Sequence, residues 1–269
     1  MFMRTMKLSV GHGFRTSVRC WVFSVASALV LMTGSSAGAQ EVATEPDKDK
    51  PTVVCFGDSI TNRGYYKTLA ETLNVNAINA GVAGHTTAKG LRRMQRDVLD
   101  RKPDVVVIFF GTNDLRADAE KVYVPVDKYS KNLETMIKAC AKIDAGIVLC
   151  TVPPINQTVY FEGRESEAHD AYEALGGLEK MLQSYRVAAQ EVAAKHSVPI
   201  VDLNAILPEE PDWLSKDGVH PSKKGCRILA KHIAKAVAPL LPEKVAKPAV
   251  QEKAMEEKAM EESQKTEGQ

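Results

Sequence analysis

Val105-Val106-Val107-Ile108-Phe109-Phe110-Gly111-Thr112-Asn113-Asp114 is the stretch that decides the fold. Six apolar residues in a row, mostly β-branched, stop at a glycine and a polar turn. A run this short and apolar on both faces predicts a strand covered on both sides, as at the centre of a parallel sheet. Working outward, residues 52–56, 75–79, 147–151 and 199–203 carry comparable β-branched runs. Between them lie helical patterns over about 64–74, 87–100, 127–144, 178–196 and 222–239. In the last of these Ile228, Leu229, Ile233, Ala236, Val237 and Leu240 recur at three- and four-residue spacing, the mark of one buried helical face. Strands alternating with helices predict a three-layer α/β/α domain around a parallel sheet of about five strands, occupying residues 51–241.

The two ends differ from this middle. Residues 1–19 carry Arg4, Lys7, Arg15 and Arg19 and no acid, an uncharged apolar run fills 20–32, and Ala37-Gly38-Ala39 precedes a charged stretch. That order predicts a cleaved signal peptide over residues 1–39 and a secreted or periplasmic product. The competing reading is an uncleaved N-terminal anchor, but the apolar run falls short of the roughly 20 residues a membrane span needs. Stable membrane insertion is therefore not expected, and without a cysteine at the cleavage position neither is a lipid anchor. Residues 40–50 form a charged leader. Residues 242–269 are a Glu/Lys/Ala-rich tail in which Glu252-Lys253-Ala254-Met255-Glu256 is followed by Glu257-Lys258-Ala259-Met260-Glu261. So few apolar side chains predict a disordered or transiently helical tail.

Loss of residues 1–39 leaves 31 Lys+Arg against 34 Asp+Glu, a mildly acidic chain. No basic stripe with interleaved aromatics is present, so nucleic acid is not an expected partner. Cys55, Cys140, Cys150 and Cys226 match no zinc spacing and read as buried thiols, although export leaves disulfides open. No phosphate-binding glycine loop occurs in the domain. Neither a metal nor a cofactor is expected.

An open parallel sheet places its chemistry beyond the carboxyl ends of its strands. Gly57-Asp58-Ser59 follows the first strand, Ala80 through Gly84 the second, Gly111 through Asp114 the third and Pro153-Pro154 the fourth. A longer loop after the fifth reaches Asp217-Gly218-Val219-His220-Pro221. Acyl transfer needs a nucleophile, a base, a group that orients the base, and donors for the oxyanion. Ser59 at a strand-to-helix turn is the candidate nucleophile, with Gly57 read as permitting the bend. His220 is the candidate base, and Asp217, three residues earlier, is the candidate partner for its second ring nitrogen. The Ser59 and Gly84 amides and the Asn113 side-chain amide are the candidate oxyanion donors.

Together these segments resemble the SGNH (GDSL-type) hydrolase family. Its first block resembles Gly57-Asp58-Ser59, its second Asn79 through Gly84, its third Gly111 through Asp114 and its last Asp217 through Pro221, in the family's order and across most of residues 53–240. The resemblance implies a flavodoxin-like sheet, no cofactor, and hydrolysis of ester or thioester bonds. By it Ser59 carries the nucleophile role, and Gly84 and Asn113 the oxyanion contacts. His85 departs from the acidic residue that relatives often carry after the glycine, and is expected to tune the pocket.

Each residue also has a plainer use. Ser59 could be an ordinary helix cap, Asn113 and Asp114 caps or turn formers, and His220 a loop histidine. One site explains all of them at once. His169-Asp170 is a rival base pair, in the long charged segment 156–177 that leaves the fourth strand and could rim the site. Tyr160 and Phe161 there suggest sugar stacking, with local packing the plainer use. Gly34-Ser35-Ser36-Ala37-Gly38 matches a nucleophile elbow only in letters, because it lies in the cleavage region. Export favours extracellular substrates, with a short acyl group such as acetyl on a carbohydrate as the first expectation. Lysophospholipase, aryl esterase or thioesterase activity is the alternative in the same class, and a non-catalytic glycan-binding protein on this fold is the alternative outside it.

Overall fold

A computed structural model describes residues 47–242. The expected signal peptide, the leader up to residue 46 and the tail from residue 243 lie outside the described residues.

The chain runs β1 (Thr52–Gly57), α1 (Ser59–Asn62), α2 (Tyr65–Leu73), β2 (Asn76–Gly81), α3 (Thr87–Asp97), β3 (Val105–Phe109), α4 (Val126–Ala141), β4 (Gly146–Cys150), α5 (Gln157–Phe161), α6 (Ser166–Glu173), α7 (Leu178–His196), β5 (Ile200–Val201), α8 (Leu203–Ile206) and α9 (Lys223–Val237). The five strands form one sheet in the order β2-β1-β3-β4-β5. Every pairing is parallel, with Cys55 opposite Val107 and Val107 opposite Val148. The expected α/β/α parallel sheet is the one observed.

Side-chain alternation divides the core in two. Val54, Phe56, Val106 and Ile108 face α3, α4 and α7, packing with Met94, Leu133, Met136, Leu182 and Tyr185. Val53, Cys55, Val105, Val107 and Val148 face α2 and α9, packing with Tyr65, Leu69, Leu229, Ile233 and Val237. Val53–Phe56 of β1 and all of β3 are covered on both faces, which is why these stretches carry no charged or hydroxyl-bearing residue.

Strand order reverses direction between β1 and β3, since β2 lies on one side of β1 and β4 on the far side of β3. The crevice beyond their carboxyl ends is where open α/β sheets take ligands. Ser59 leaves β1 into it and Asn113 leaves β3.

Two expectations need adjustment, and the segment after β4 acquires structure. β5 is two residues long rather than five, because the Asp202 carboxylate accepts from the Asn204 and Ala205 amides and turns the chain into α8. Residues 156–177 fold into α5 and α6. Gly57 does not have a positive φ: a Cβ there would strike the Thr61 hydroxyl and the Phe109 carbonyl, so the residue is small for packing rather than for a bend.

Candidate active site

Ser59 opens α1 and is half-buried. Its hydroxyl oxygen lies 2.9 Å from His220 Nε2, and His220 Nδ1 lies 2.9 Å from Asp217 Oδ2. These residues are 161 and 3 positions apart in the chain, and the fold joins them in one line of contacts.

The loop carrying Asp217 and His220 is closed on itself. Ser215 N–H donates to the His220 carbonyl at 2.8 Å, and Leu214 bridges to Pro221. Asp217 Oδ1 accepts from the Val219 and His220 amides at 3.0 and 2.9 Å and from the Ser215 hydroxyl at 2.8 Å. Partial burial pushes the Asp217 carboxyl up, but these bonds and the one to His220 outweigh it and hold the acid well below the usual carboxylate range. A carboxylate fixed this way holds the imidazole Nδ1 and leaves Nε2 facing the serine. Arg63 adds a contact that the sequence did not suggest, its Nη2 lying 3.2 Å from Asp217 Oδ2.

Ser59 N–H sits at the first position of α1, where a helix leaves its amides without intrahelical partners. The next amide, Ile60 N–H, is taken by the Asp58 carboxylate at 2.9 Å. Gly84 lies in a turn closed by His85 N–H to Val82 O at 3.1 Å, with φ of +72°. A Cβ at Gly84 would meet nothing within 4 Å, so the left-handed backbone is what calls for glycine, over an open surface. Asn113 Nδ2 donates to Asp58 Oδ2 and to the His85 carbonyl, both at 3.2 Å. Both contacts are longer than the usual 2.9–3.0 Å, so a strongly accepting oxyanion could compete for the amide.

Two buried carboxyls support these turns. Burial pushes both Asp58 and Asp114 up to about 7. Asp114 accepts from the Thr87 amide at 3.0 Å and from its hydroxyl, which in turn accepts from Asn132 at 2.9 Å, so the end of β3 is pinned to the start of α3.

Arg93 of α3 is the functional candidate the sequence reading passed over. It is buried and donates to Gly57 O and Ala80 O, each at 2.8 Å, and to His85 Nδ1 at 3.1 Å. Its guanidinium stacks 4.6 Å from the Phe56 ring centre and pairs with Asp97 at 3.0 Å. One side chain thereby ties together the ends of β1 and β2 and the residue after Gly84. Desolvation, and then the charge of Arg93, lowers the His85 ring below the ordinary histidine value, which suits its role as an acceptor. The available signal was a basic residue on the same helical face as Gly90 and Met94, with an acid four residues on.

The rival base pair lies elsewhere. His169 sits on α6, 3.8 Å from Glu173 and against the Phe161 ring. Tyr160 is buried with its hydroxyl 2.7 Å from that of Tyr172, so the aromatic group packs locally. All four described cysteines are buried free thiols. Among the described residues no group of three or more His, Cys, Asp or Glu is arranged to hold a metal, and no helix is long and apolar enough to cross a membrane.

The GDSL-like lipase/acylhydrolase family model matches residues 55–228. The chain is 34% identical over 170 residues to the uncharacterized lipoprotein YqeF of Bacillus subtilis, covering 56% of this chain and 69% of the relative. It is 30% identical over 215 residues to the mouse isoamyl acetate-hydrolyzing esterase 1 homolog, covering 73% and 83%. Among solved structures it resembles a lipase/acylhydrolase from Enterococcus faecalis, at 29% identity and a TM-score of 0.59 over 70% of this chain and 95% of that one. It also resembles an acetyl xylan esterase, at 27% identity and a TM-score of 0.56 over 69% and 99%.

Proposed function

The chain belongs to the GDSL-like lipase/acylhydrolase family, its relatives include named esterases, and on that premise we propose that this carboxylic ester hydrolase works through Ser59, His220 and Asp217. The observation that carries the reading is the unbroken line from Ser59 Oγ to His220 Nε2 and from His220 Nδ1 to Asp217 Oδ2, each contact 2.9 Å.

In this mechanism Ser59 Oγ attacks the ester carbonyl as its proton passes to His220 Nε2. Asp217 orients the ring and stabilises the imidazolium. Negative charge develops on the carbonyl oxygen, towards the Ser59 and Gly84 amides and the Asn113 side chain. Collapse breaks the bond to the alcohol, which leaves with the proton from His220. Water then gives its proton to His220 and its oxygen to the acyl carbon, the acid departs, and the serine regains its proton.

We further propose an exported enzyme that removes short acyl groups, acetyl above all, from carbohydrate esters. The order of basic, apolar and small residues in 1–39 supports export, and likeness to an acetyl xylan esterase supports the substrate class. Hydrolysis of p-nitrophenyl acetate by the protein and by its Ser59→Ala variant tests the reading. Turnover by the parent and none by the variant is expected; equal rates would remove Ser59 from the mechanism. A chain-length series then separates acetyl from longer acyl groups, and acetylated xylan from lysophospholipid.

A further inference from the structure

We propose that a basic groove beside the Ser59–His220–Asp217 line binds the carboxylate of an acidic sugar next to the sugar that carries the ester. The inference rests on the glycan-ester reading above for its substrate class. The groove encloses about 720 Å³ between the start of α2 and the start of α9. Arg63, Lys67, Lys223 and Arg227 line it, and no Asp or Glu does. Arg63 is already paired with Asp217, so Lys223 and Arg227 are the cations on which the inference rests, in a chain that as a whole carries 35 Lys+Arg against 34 Asp+Glu.

Three features make the groove a receptor for an anion. Arg63 stands one helical turn after Ser59 and touches Asp217 at 3.2 Å, while Pro221, immediately after His220, forms part of the opposite wall. The groove therefore lies beside the Asp217 end of the Ser59–His220–Asp217 line, flanked by residues adjoining it in the chain. Secondly, α9 has Lys223 and Lys224 in its first turn and no acid there. Helix amides already lend that end partial positive charge, so lysines raise the local potential where an acid would offset it. Thirdly, Lys224 pairs with Asp212 at 3.7 Å, whereas Lys223 and Arg227 form no ion pair among the described residues and are exposed.

The remaining lining favours a sugar over a lipid headgroup. Asn62, Tyr66, Thr68 and Ser215 offer amide and hydroxyl groups. Among the described residues, the exposed large apolar ones, Val82, Ile143, Leu175 and Val187, lie singly on separate segments, and none lines the groove. A lipid chain would need a continuous apolar patch beside its headgroup.

The test compares an acetylated neutral xylo-oligosaccharide with the same oligosaccharide bearing a glucuronate branch. The parent is expected to prefer the acidic substrate by about five- to tenfold in kcat/KM at low salt, from two or three exposed pairings. Added salt should shrink the preference, and Lys223→Gln/Arg227→Gln should abolish it through KM. Calorimetry with the de-esterified acidic oligosaccharide reads the groove without turnover, and binding should be lost in the double variant. Equal handling of both oligosaccharides, or a preference that survives in the double variant, overturns the proposal. So does dependence on these two cations for a lysophospholipid but not for the acidic sugar. Should no ester be hydrolysed at all, the serine-hydrolase reading fails, and the calorimetric result still decides the groove.

Discussion

The Asp58 carboxylate accepts a hydrogen bond from the Asn113 side-chain amide at 3.2 Å, linking the residue before the candidate nucleophile to a candidate oxyanion donor. Asn113→Ala is expected to lower kcat for p-nitrophenyl acetate by about 10²–10³. Asp58→Asn should lower it less, because its oxygen can still cap α1 at Ile60 while its amino group faces the amino group of Asn113. A rate for Asp58→Asn equal to that of the parent would show that the contact does not orient Asn113.

The two buried carboxyls give stability a pH slope of known sign. Asp58 and Asp114 lose their protons near 7 in the folded protein, against an ordinary value of 3.8. Between those values the folded state holds protons that the unfolded chain has released, so these groups make stability fall as pH rises from about 4 through 7. His85 and His232 are both lowered, chiefly by desolvation, and act in the opposite direction below 6.5, which leaves the range just above as the clean window. Denaturant midpoints for the parent should decline from about pH 6.5 to 7.5 and level off above, once both states have released these protons. Asp114→Asn should flatten that decline; an unaltered slope would place the titration on other groups.

Arg93 is expected to matter for stability and turnover together. Arg93→Gln removes the guanidinium donor to the Ala80 carbonyl and one of two donors to the Gly57 carbonyl, which keeps Val82 N–H, at a cost of about 2–4 kcal/mol and a melting temperature lower by roughly 5–15 °C. Arg93→Lys keeps the charge but cannot reach both carbonyls and His85 in one plane. At temperatures where both variants are folded, kcat should fall while KM changes little, because the turn at Gly84 is loosened rather than the substrate groove. Unchanged kcat in folded Arg93→Lys would confine the residue to a structural part.

Much of this was legible from local chemistry. The run from Val105 to Phe110 announces a strand buried on both faces, and each polar segment after a strand lands at one sheet edge. Asp217 and His220 were readable as a pair because three residues separate them. What escaped reading depends on long-range contacts. Nothing near Gly57 in sequence tells that Phe109 O and the Thr61 hydroxyl crowd it. Arg93 looks like any basic helical residue until β1 and β2 end above it, and Arg63 acquires meaning only when a loop 154 residues away sets Asp217 beside it. Short helices such as α5 and α6 have too few turns to show a period.

Segment 156–177 reaches the candidate site at Gly218. Asn156 N–H donates to Gly218 O at 2.9 Å, and Val159 packs where a Gly218 side chain would be, 2.9 Å from an added Cβ. Gly218, with φ of +73°, lies between Asp217 and His220, so α5 presses on the loop that holds both. Gly218→Ala should therefore displace the loop or push α5 away, lowering kcat by about tenfold or more. Adding Val159→Gly removes both crowding atoms, Cβ and Cγ1, but not the left-handed backbone at position 218, whose cost for a non-glycine residue is about 1–3 kcal/mol. Partial recovery of kcat in the double variant, with stability still below that of the parent, would identify α5 as a buttress of the His220 loop. No recovery would assign the whole effect to backbone strain and leave segment 156–177 without a part in the reaction.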